Sequence, residues 1–260
     1  MKIAVCFKAV QESENLEKNP AGTVSAGNAE KAIGQYDLNA LEAAAQLKEA
    51  VPGTEVVAVT VCRDETECNS KLKKSVLSKG PDALYSICDP ALPDGDSYCT
   101  AKTLAALIEK IGEIDLVLCG EGSGDMYSRI TGNILGGLLN WNTLNGVNAI
   151  SVENDKLKVI REIEYASEEY IVSLPAVLSV TGEINRPRIS SFKEIMAAGK
   201  KPWETMDSSD VLYCEAGSVE TISTLAPEQA ERKKLIFKGA DEETVDNFCA
   251  QLKKILREVR

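Results

Sequence analysis

Gly120, Gly122 and Gly124 alternate through the run Gly120-Glu121-Gly122-Ser123-Gly124-Asp125, directly after the apolar segment Asp115 to Cys119. A glycine-rich turn that leaves a parallel strand and opens a helix presents backbone amides and the positive helix end to a phosphate. Beyond it, Asp125, Ser128 and Thr131 carry oxygens suited to a ribose or a phosphate. The run is neither G-x-G-x-x-G nor a Walker loop, since no lysine follows it. A nucleotide-binding turn and a plain tight turn with Asp125 as helix N-cap both stay open. Gly34-Gln35-Tyr36-Asp37 is a second such position: Tyr36 can stack on an aromatic ring, or simply pack ahead of a capping aspartate.

Histidine is absent, which removes Ser-His-Asp and Cys-His catalysis and histidine metal sites. Chemistry near neutral pH must come from other groups or from a bound cofactor. The eight cysteines (6, 62, 68, 88, 99, 119, 214, 249) contain no C-x-x-C pair and are expected as reduced core hydrophobes of a cytoplasmic protein. A net charge of −11 repels phosphate backbones and anionic headgroups, so nucleic acid is not an expected partner. No segment approaches the roughly 20 apolar residues of a membrane span, so membrane insertion is not expected either.

The elements that position these residues follow from periodicity. Strands are predicted at Lys2 to Phe7, Glu55 to Val61, Ala83 to Cys88 and Asp115 to Cys119. Between them lie helices at Leu38 to Ala50 with Asp37 as cap, Glu67 to Lys79, and Asp96 to Ile111; another runs to about Leu139. That alternation predicts an α/β fold of three layers, α/β/α, around a mostly parallel sheet. Ala149 to Val152, Lys156 to Ile163 and Glu169 to Ser173 alternate around the turn Asn154-Asp155, so antiparallel strands should extend the sheet. Within the second of these, Arg161-Glu162 is read as an exposed ion pair. Residues 200–235 read as an arm or linker, and a final helix, about Asp241 to Val259, gathers Val245, Phe248, Leu252, Ile255 and Val259 on one face. The expected division is therefore 1–199 as the α/β body and 200–260 as arm and helix.

Between these parts stands Leu174 to Trp203. Pro175 begins the short apolar strand Ala176 to Val180, and Asn185-Arg186-Pro187-Arg188 makes a turn from which both guanidinium groups should face solvent. Ser190 or Ser191 can cap a helix over Phe192 to Ala198, with Gly199, Lys200 and Lys201 at its end. By themselves these residues favour an ordinary surface turn with a capped helix over an exposed docking element.

Together these pieces resemble the β subunit of electron-transfer flavoproteins over almost the whole chain. The likeness is carried by Lys158-Val159-Ile160-Arg161-Glu162-Ile163, Leu174-Pro175-Ala176-Val177, Asn185, Pro187-Arg188 and the run Ile195-Met196-Ala197-Ala198-Gly199-Lys200-Lys201. Gln35-Tyr36-Asp37-Leu38-Asn39-Ala40 and Gly120 to Tyr127 look most like the bacterial branch associated with carnitine and related acyl-CoA metabolism.

The resemblance implies a Rossmann-like, adenine nucleotide alpha-hydrolase-like body. It also implies an α subunit that holds most of a redox-active FAD, while the β chain binds AMP, or a second FAD in electron-bifurcating members. Positions matching the nucleotide site are Cys6, Gly34, Gln35, Tyr36, Asp37, Val61, Gly120, Gly122, Ser123, Gly124, Asp125, Tyr127, Ser128, Arg129, Ile130 and Thr131. Tyr36 matches an aromatic that approaches the flavin. Arg188 to Ala197 match a recognition loop for an acyl-CoA dehydrogenase, with Phe192 at the tip beside Ile189, Ile195 and Met196. Arg186, Arg188, Lys200 and Lys201 would steer the approach. Glu162 matches a carboxylate that competes for the mobile flavin domain. Where many members have Asp-Gly-Asp-Thr, Tyr127 and Arg129 reshape the pocket here, so the resemblance implies AMP before a second FAD. The alternatives are a bifurcating subunit, or a stand-alone adenine-nucleotide-binding α/β enzyme such as a small ATP pyrophosphatase.

Overall fold

The computed structural model of the chain describes residues 1–11, 16–20, 22–25, 30–64, 68–93, 95–153, 156–206, 219, 221–226 and 234–258. The turn expected at Asn154-Asp155, most of the arm expected over 200–235, Cys214 and Val259 lie outside them. The chain divides into two compact units, Met1–Leu225 and Ala226–Arg260.

In the first unit the strands are β1 (Lys2–Cys6), β2 (Ala9–Gln11), β3 (Glu17–Lys18), β4 (Val24–Ser25), β5 (Lys31–Ile33), β6 (Glu55–Cys62), β7 (Ala83–Cys88), β8 (Leu116–Gly120), β9 (Asn142–Glu153), β10 (Lys156–Ile163), β11 (Ala166–Val172), β12 (Ala176–Val180) and β13 (Trp203–Met206). Its helices are α1 (Gln35–Ala50), α2 (Ser70–Leu77), α3 (Ser97–Ile111), α4 (Thr131–Leu139) and α5 (Phe192–Ala198). Nine strands form one sheet in the order β11-β10-β9-β12-β8-β1-β6-β7-β13, while β2 pairs with β5 and β3 with β4. From β9 to β13 every neighbour is parallel; β9, β10 and β11 are antiparallel.

The central strands β1, β6, β8 and β12 are nearly continuous apolar runs because helices cover both faces. Leu41 and Leu47 of α1 and Leu72 and Val76 of α2 pack with Ile3 and Val5 on one face. Leu104 and Leu107 of α3 and Leu135 of α4 pack with Ala4, Val57 and Val117 on the other. This is the expected three-layer α/β fold. From β1 the chain winds outward through β6 and β7, then returns to β8 on the opposite side of β1. The connections after β1 and β8 thus diverge, leaving a crevice at their carboxyl ends.

Several expectations shift. α3 starts at Ser97 rather than Asp96, because Asp96 caps it, its Oδ1 accepting the Tyr98 and Cys99 amides at 2.9 and 3.0 Å. The preceding helix is shorter than predicted and starts at Ser70, because Asn69 caps it. β9 begins seven residues before the predicted Ala149, since its first half pairs with β12, which alternation alone does not reveal. Trp203–Met206, in the stretch read as an arm, joins the sheet beside β7. Cys6, Cys62, Cys68, Cys88, Cys119 and Cys249 are free thiols, but Cys99 is disulfide-bonded, against the all-reduced expectation. Which cysteines approach closely enough to bond is a tertiary property that spacing does not carry.

The second unit contains α6 (Glu242–Glu258), capped by Asp241, whose Oδ1 accepts the Thr244 amide at 3.0 Å. Phe237 packs edge-on against Phe248 at 5.6 Å, while Val245 and Leu252 remain exposed.

Candidate functional site

The crevice outside β1 and β8 is a cleft of about 480 Å³, within the size range of small-ligand pockets. Its floor is built by the first turn of α1. That helix starts at Gln35 rather than Leu38, so Asp37 is not its cap but lies inside it. Asp37 turns to the strand exits instead: Oδ2 accepts the Lys8 amide at 2.8 Å and Oδ1 the Gly120 amide at 3.3 Å. One carboxyl therefore ties the end of β1 to the end of β8. Burial pushes Asp37 up to about 7, against the pull of those two amides and of the Lys8 ammonium.

This shift has a sign that can be tested. Unfolded, the carboxyl titrates near 3.8, so its contribution to stability is full below about pH 4 and is lost as pH rises through about 7. Urea unfolding should show wild type losing about 2 kcal/mol relative to Asp37→Asn between about pH 5 and pH 8. Parallel curves for the two proteins would mean that Asp37 titrates normally.

Beside Asp37, Cys6 and Cys119 end adjacent strands. A hydrogen bond between the two thiols, with burial, pushes Cys6 well above the ordinary thiol value. Cys6 thus lines the cleft as a buried thiol held toward its neutral form.

The glycines of the loop divide by role. A Cβ on Gly120 would stand 2.6 Å from Asp37 Oδ1 and 2.7 Å from Tyr36 Cβ; on Gly122 it would stand 2.6 Å from the Tyr127 ring. Both admit the protein's own side chains. Only at Gly124 would a Cβ meet nothing, so only there does the loop leave open space of the kind expected for a ligand.

Asp125 is not a helix cap. The intervening residues form a loop and α4 starts only at Thr131, with Ile130 before it making no side-chain cap. Asp125 Oδ1 accepts the Met126 amide at 2.8 Å, and Oδ2 meets Lys8 Nζ at 2.6 Å. Burial raises this carboxyl, but Lys8, the Ser123 hydroxyl and the Met126 amide together hold it below its ordinary value. Further along, Glu121 accepts the Tyr127 hydroxyl at 2.9 Å and Arg129 Nη2 at 2.8 Å. The Arg129 guanidinium lies 5.4 Å from the Tyr127 ring centre, and that ring lies 5.5 Å from Tyr36. Tyr127 and Arg129 both take left-handed backbone, φ 46° and 60°, uncommon for such side chains.

Of the candidate nucleotide residues, Cys6, Asp37, Val61, Gly120, Gly122, Ser123, Gly124, Asp125, Ser128, Arg129, Ile130 and Thr131 line the cleft. Gly34, Gln35, Tyr36 and Tyr127 are not among the lining residues, and Gln35 and Tyr127 are exposed. Lys8, Arg63, Thr100 and Cys119 also line it and were not singled out. Lys8 was legible in principle, being two residues beyond a strand at the ligand-facing end of the sheet. Among the described residues, four basic side chains (Lys8, Lys31, Arg63, Arg129) and three acidic ones (Asp37, Glu121, Asp125) line the cleft, so cations suited to an anion are present. Among the described residues no group of three or more side chains is placed to hold a metal ion, and no helix is long and apolar enough to cross a membrane.

The candidate docking residues form a separate surface. Asn39 and Asn185 exchange hydrogen bonds, Asn39 Nδ2 to Asn185 O at 2.9 Å and Asn185 Nδ2 to Asn39 O at 3.0 Å; the Ser78 hydroxyl donates to Ser190 Oγ at 2.8 Å. Ser191 and Glu194 form a capping box on α5. On this stem Ile189 is 95% exposed and Phe192 79%, with Ile195 and Met196 beside them. Arg186 faces solvent as expected, but Arg188 does not: its guanidinium folds back on Glu42 and Glu49 of α1. Lys201 is also engaged, donating to the Leu77 and Pro81 carbonyls at 2.9 and 2.6 Å. Arg161 and Glu162 do not pair, since neighbours on a strand face opposite sides; Arg161 turns to its cross-strand partner Glu168, at 3.9 Å.

A family model described as the electron transfer flavoprotein domain matches residues 22–211 of this chain.

Proposed function

The chain belongs to the electron transfer flavoprotein domain family, and from that premise we propose that it is the non-catalytic β subunit of a heterodimeric, cytoplasmic electron carrier. In this reading an α subunit holds most of an FAD, which supplies the redox chemistry when bound. The cleft of this chain holds AMP, with phosphate toward the 121–130 loop. The segment beyond Met206 acts as the arm and helix that pack on α. The partner is an acyl-CoA dehydrogenase, of the kind used in bacterial carnitine and acyl-CoA metabolism.

The observation that carries this is the apolar tip of Ile189 and Phe192, held outward on a loop pinned at its base by Asn39, Glu42 and Ser78. An exposed aromatic on a pre-organised stem suits a brief, specific docking contact. For the cleft, the donor set fits a nucleotide monophosphate: lysine and arginine side chains at a switch point, a loop open at Gly124, and volume for one small ligand. The Tyr127-Arg129-Glu121 cluster beside Gly122 favours AMP over a larger second flavin.

Co-expression with an α subunit should yield a yellow heterodimer that releases one FAD and one AMP per pair on denaturation, read by mass analysis. Two FAD and no AMP would mark a bifurcating subunit. A colourless chain that stays monomeric would sink the proposal, and nucleotide turnover by the isolated chain would favour the enzyme alternative.

A further inference from the structure

We propose that Asp125 is the internal competitor for the nucleotide's phosphate rather than a ligand of the nucleotide, and that Lys8 is the cation for which the two compete. This rests on the nucleotide reading of the cleft and specifies how the site is filled. The bond between Lys8 Nζ and Asp125 Oδ2, at 2.6 Å, joins the exit of β1 to the glycine loop across residues that both line the cleft. Lys8 is anchored at its backbone, where its amide donates to Asp37, so the ammonium is presented from a fixed point. Asp125 sits on a loop of a different kind. Its neighbours Met126, Tyr127 and Ile130 are exposed, and the backbone takes left-handed conformations at Tyr127 and Arg129.

Two ion pairs, Asp125 to Lys8 and Glu121 to Arg129, hold that loop together with the Tyr127 hydroxyl bond to Glu121 and the Tyr127 amide bond to the Ser123 carbonyl; of these, only the Lys8 pair ties Asp125 to the exit of β1. Both members of the first pair are substantially solvent-exposed, 45% and 40%, and exposed ion pairs contribute little to stability. A phosphate oxygen offers Lys8 a stronger, charge-assisted bond. The two anions cannot share the ammonium without repelling each other. Entry of a phosphate therefore displaces the Asp125 carboxylate, and an empty cleft takes it back. No covalent step is involved, and the chain keeps Lys8 neutralised when no nucleotide is present.

The test uses the full chain, freed of nucleotide, with AMP and adenosine as calorimetric probes. Asp125→Asn should bind AMP roughly fivefold more tightly, the equivalent of removing one exposed ion pair, and bind adenosine unchanged. Lys8→Gln should weaken AMP about tenfold and leave adenosine alone. In the Lys8→Gln background the gain from Asp125→Asn should shrink, because the competition has lost its object. If Asp125→Asn weakens AMP and adenosine alike, Asp125 is a ribose ligand and the exchange is overturned, while the nucleotide reading stands. An equal gain in both backgrounds reduces the effect to general charge and also overturns it. A wild-type chain that binds neither probe overturns the exchange and the nucleotide reading together.

Discussion

Replacing Arg188 by alanine will cost this chain about 3 kcal/mol of stability, the lower end of what removing one partner from a buried ion pair costs. Its Nε and Nη2 grip both oxygens of Glu42 at 2.7 and 3.0 Å, its own amide adds a bond at 3.1 Å, and Nη1 reaches Glu49 at 2.8 Å. Glu42 is 6% exposed, so truncation strands a carboxylate in the wall of α1. The loss stays at the lower end because the Arg188 side chain keeps 30% exposure. Burial alone would raise Glu42, but its bonds to Arg188 hold it below the usual 4.5. The pair's contribution is therefore present above that value and lost as pH falls through the lower, folded one. Arg188→Lys should recover only part of the loss, since an ammonium cannot make the forked contact.

Four residues away, Phe192→Ala should change stability by less than about 0.5 kcal/mol, because an exposed side chain leaves no cavity. Its effect should appear instead as slower electron transfer from a dehydrogenase. Urea midpoints of the two variants separate the stem from the tip. An Arg188→Ala protein as stable as wild type would return that arginine to the docking surface.

Gly120→Ala is the second large effect, about 2–3 kcal/mol from overpacking. The added methyl would lie 2.8 Å from the Tyr36 backbone carbon as well as against Asp37. Backbone cannot swing away as a flexible side chain can, so the junction of β8 with α1 must open. Asp37 would then lose its grip on the Gly120 amide, and with it the floor of the cleft. Gly124→Ala, where nothing lies within 4 Å, should be nearly silent in the same thermal or urea melts. Equal tolerance at both positions would mean that the two glycines serve alike, as the sequence pattern alone suggests.

The parallel core was legible from burial on both faces, which leaves β1, β6 and β8 as unbroken apolar runs. The cap at Ser191 was legible because a cap and its amides lie within three residues, whereas Asp37 and Asp125, with the same local look, cap nothing. The glycine loop, too, announced the ligand-facing end of the sheet. Where partners are distant, inference from spacing failed. Arg188 was placed in solvent because it follows Pro187 in a surface turn; the Glu42 that holds it is 146 residues away. Asp125 looked like a helix cap because its partner Lys8 is 117 residues away.

By itself, then, the amino-acid order determined the layers, the cap at Ser191 and the end of the sheet where the cleft lies, since each depends on periodicity or on neighbours a few residues apart. Only the tertiary structure decided that Asp37 ties two strand exits, that two of the three loop glycines admit side chains, and that Lys8 and Asp125 face each other. Those contacts are set by the return of the chain to β8 beside β1. Strand order brings remote side chains to one edge, and no local pattern encodes which of them will meet.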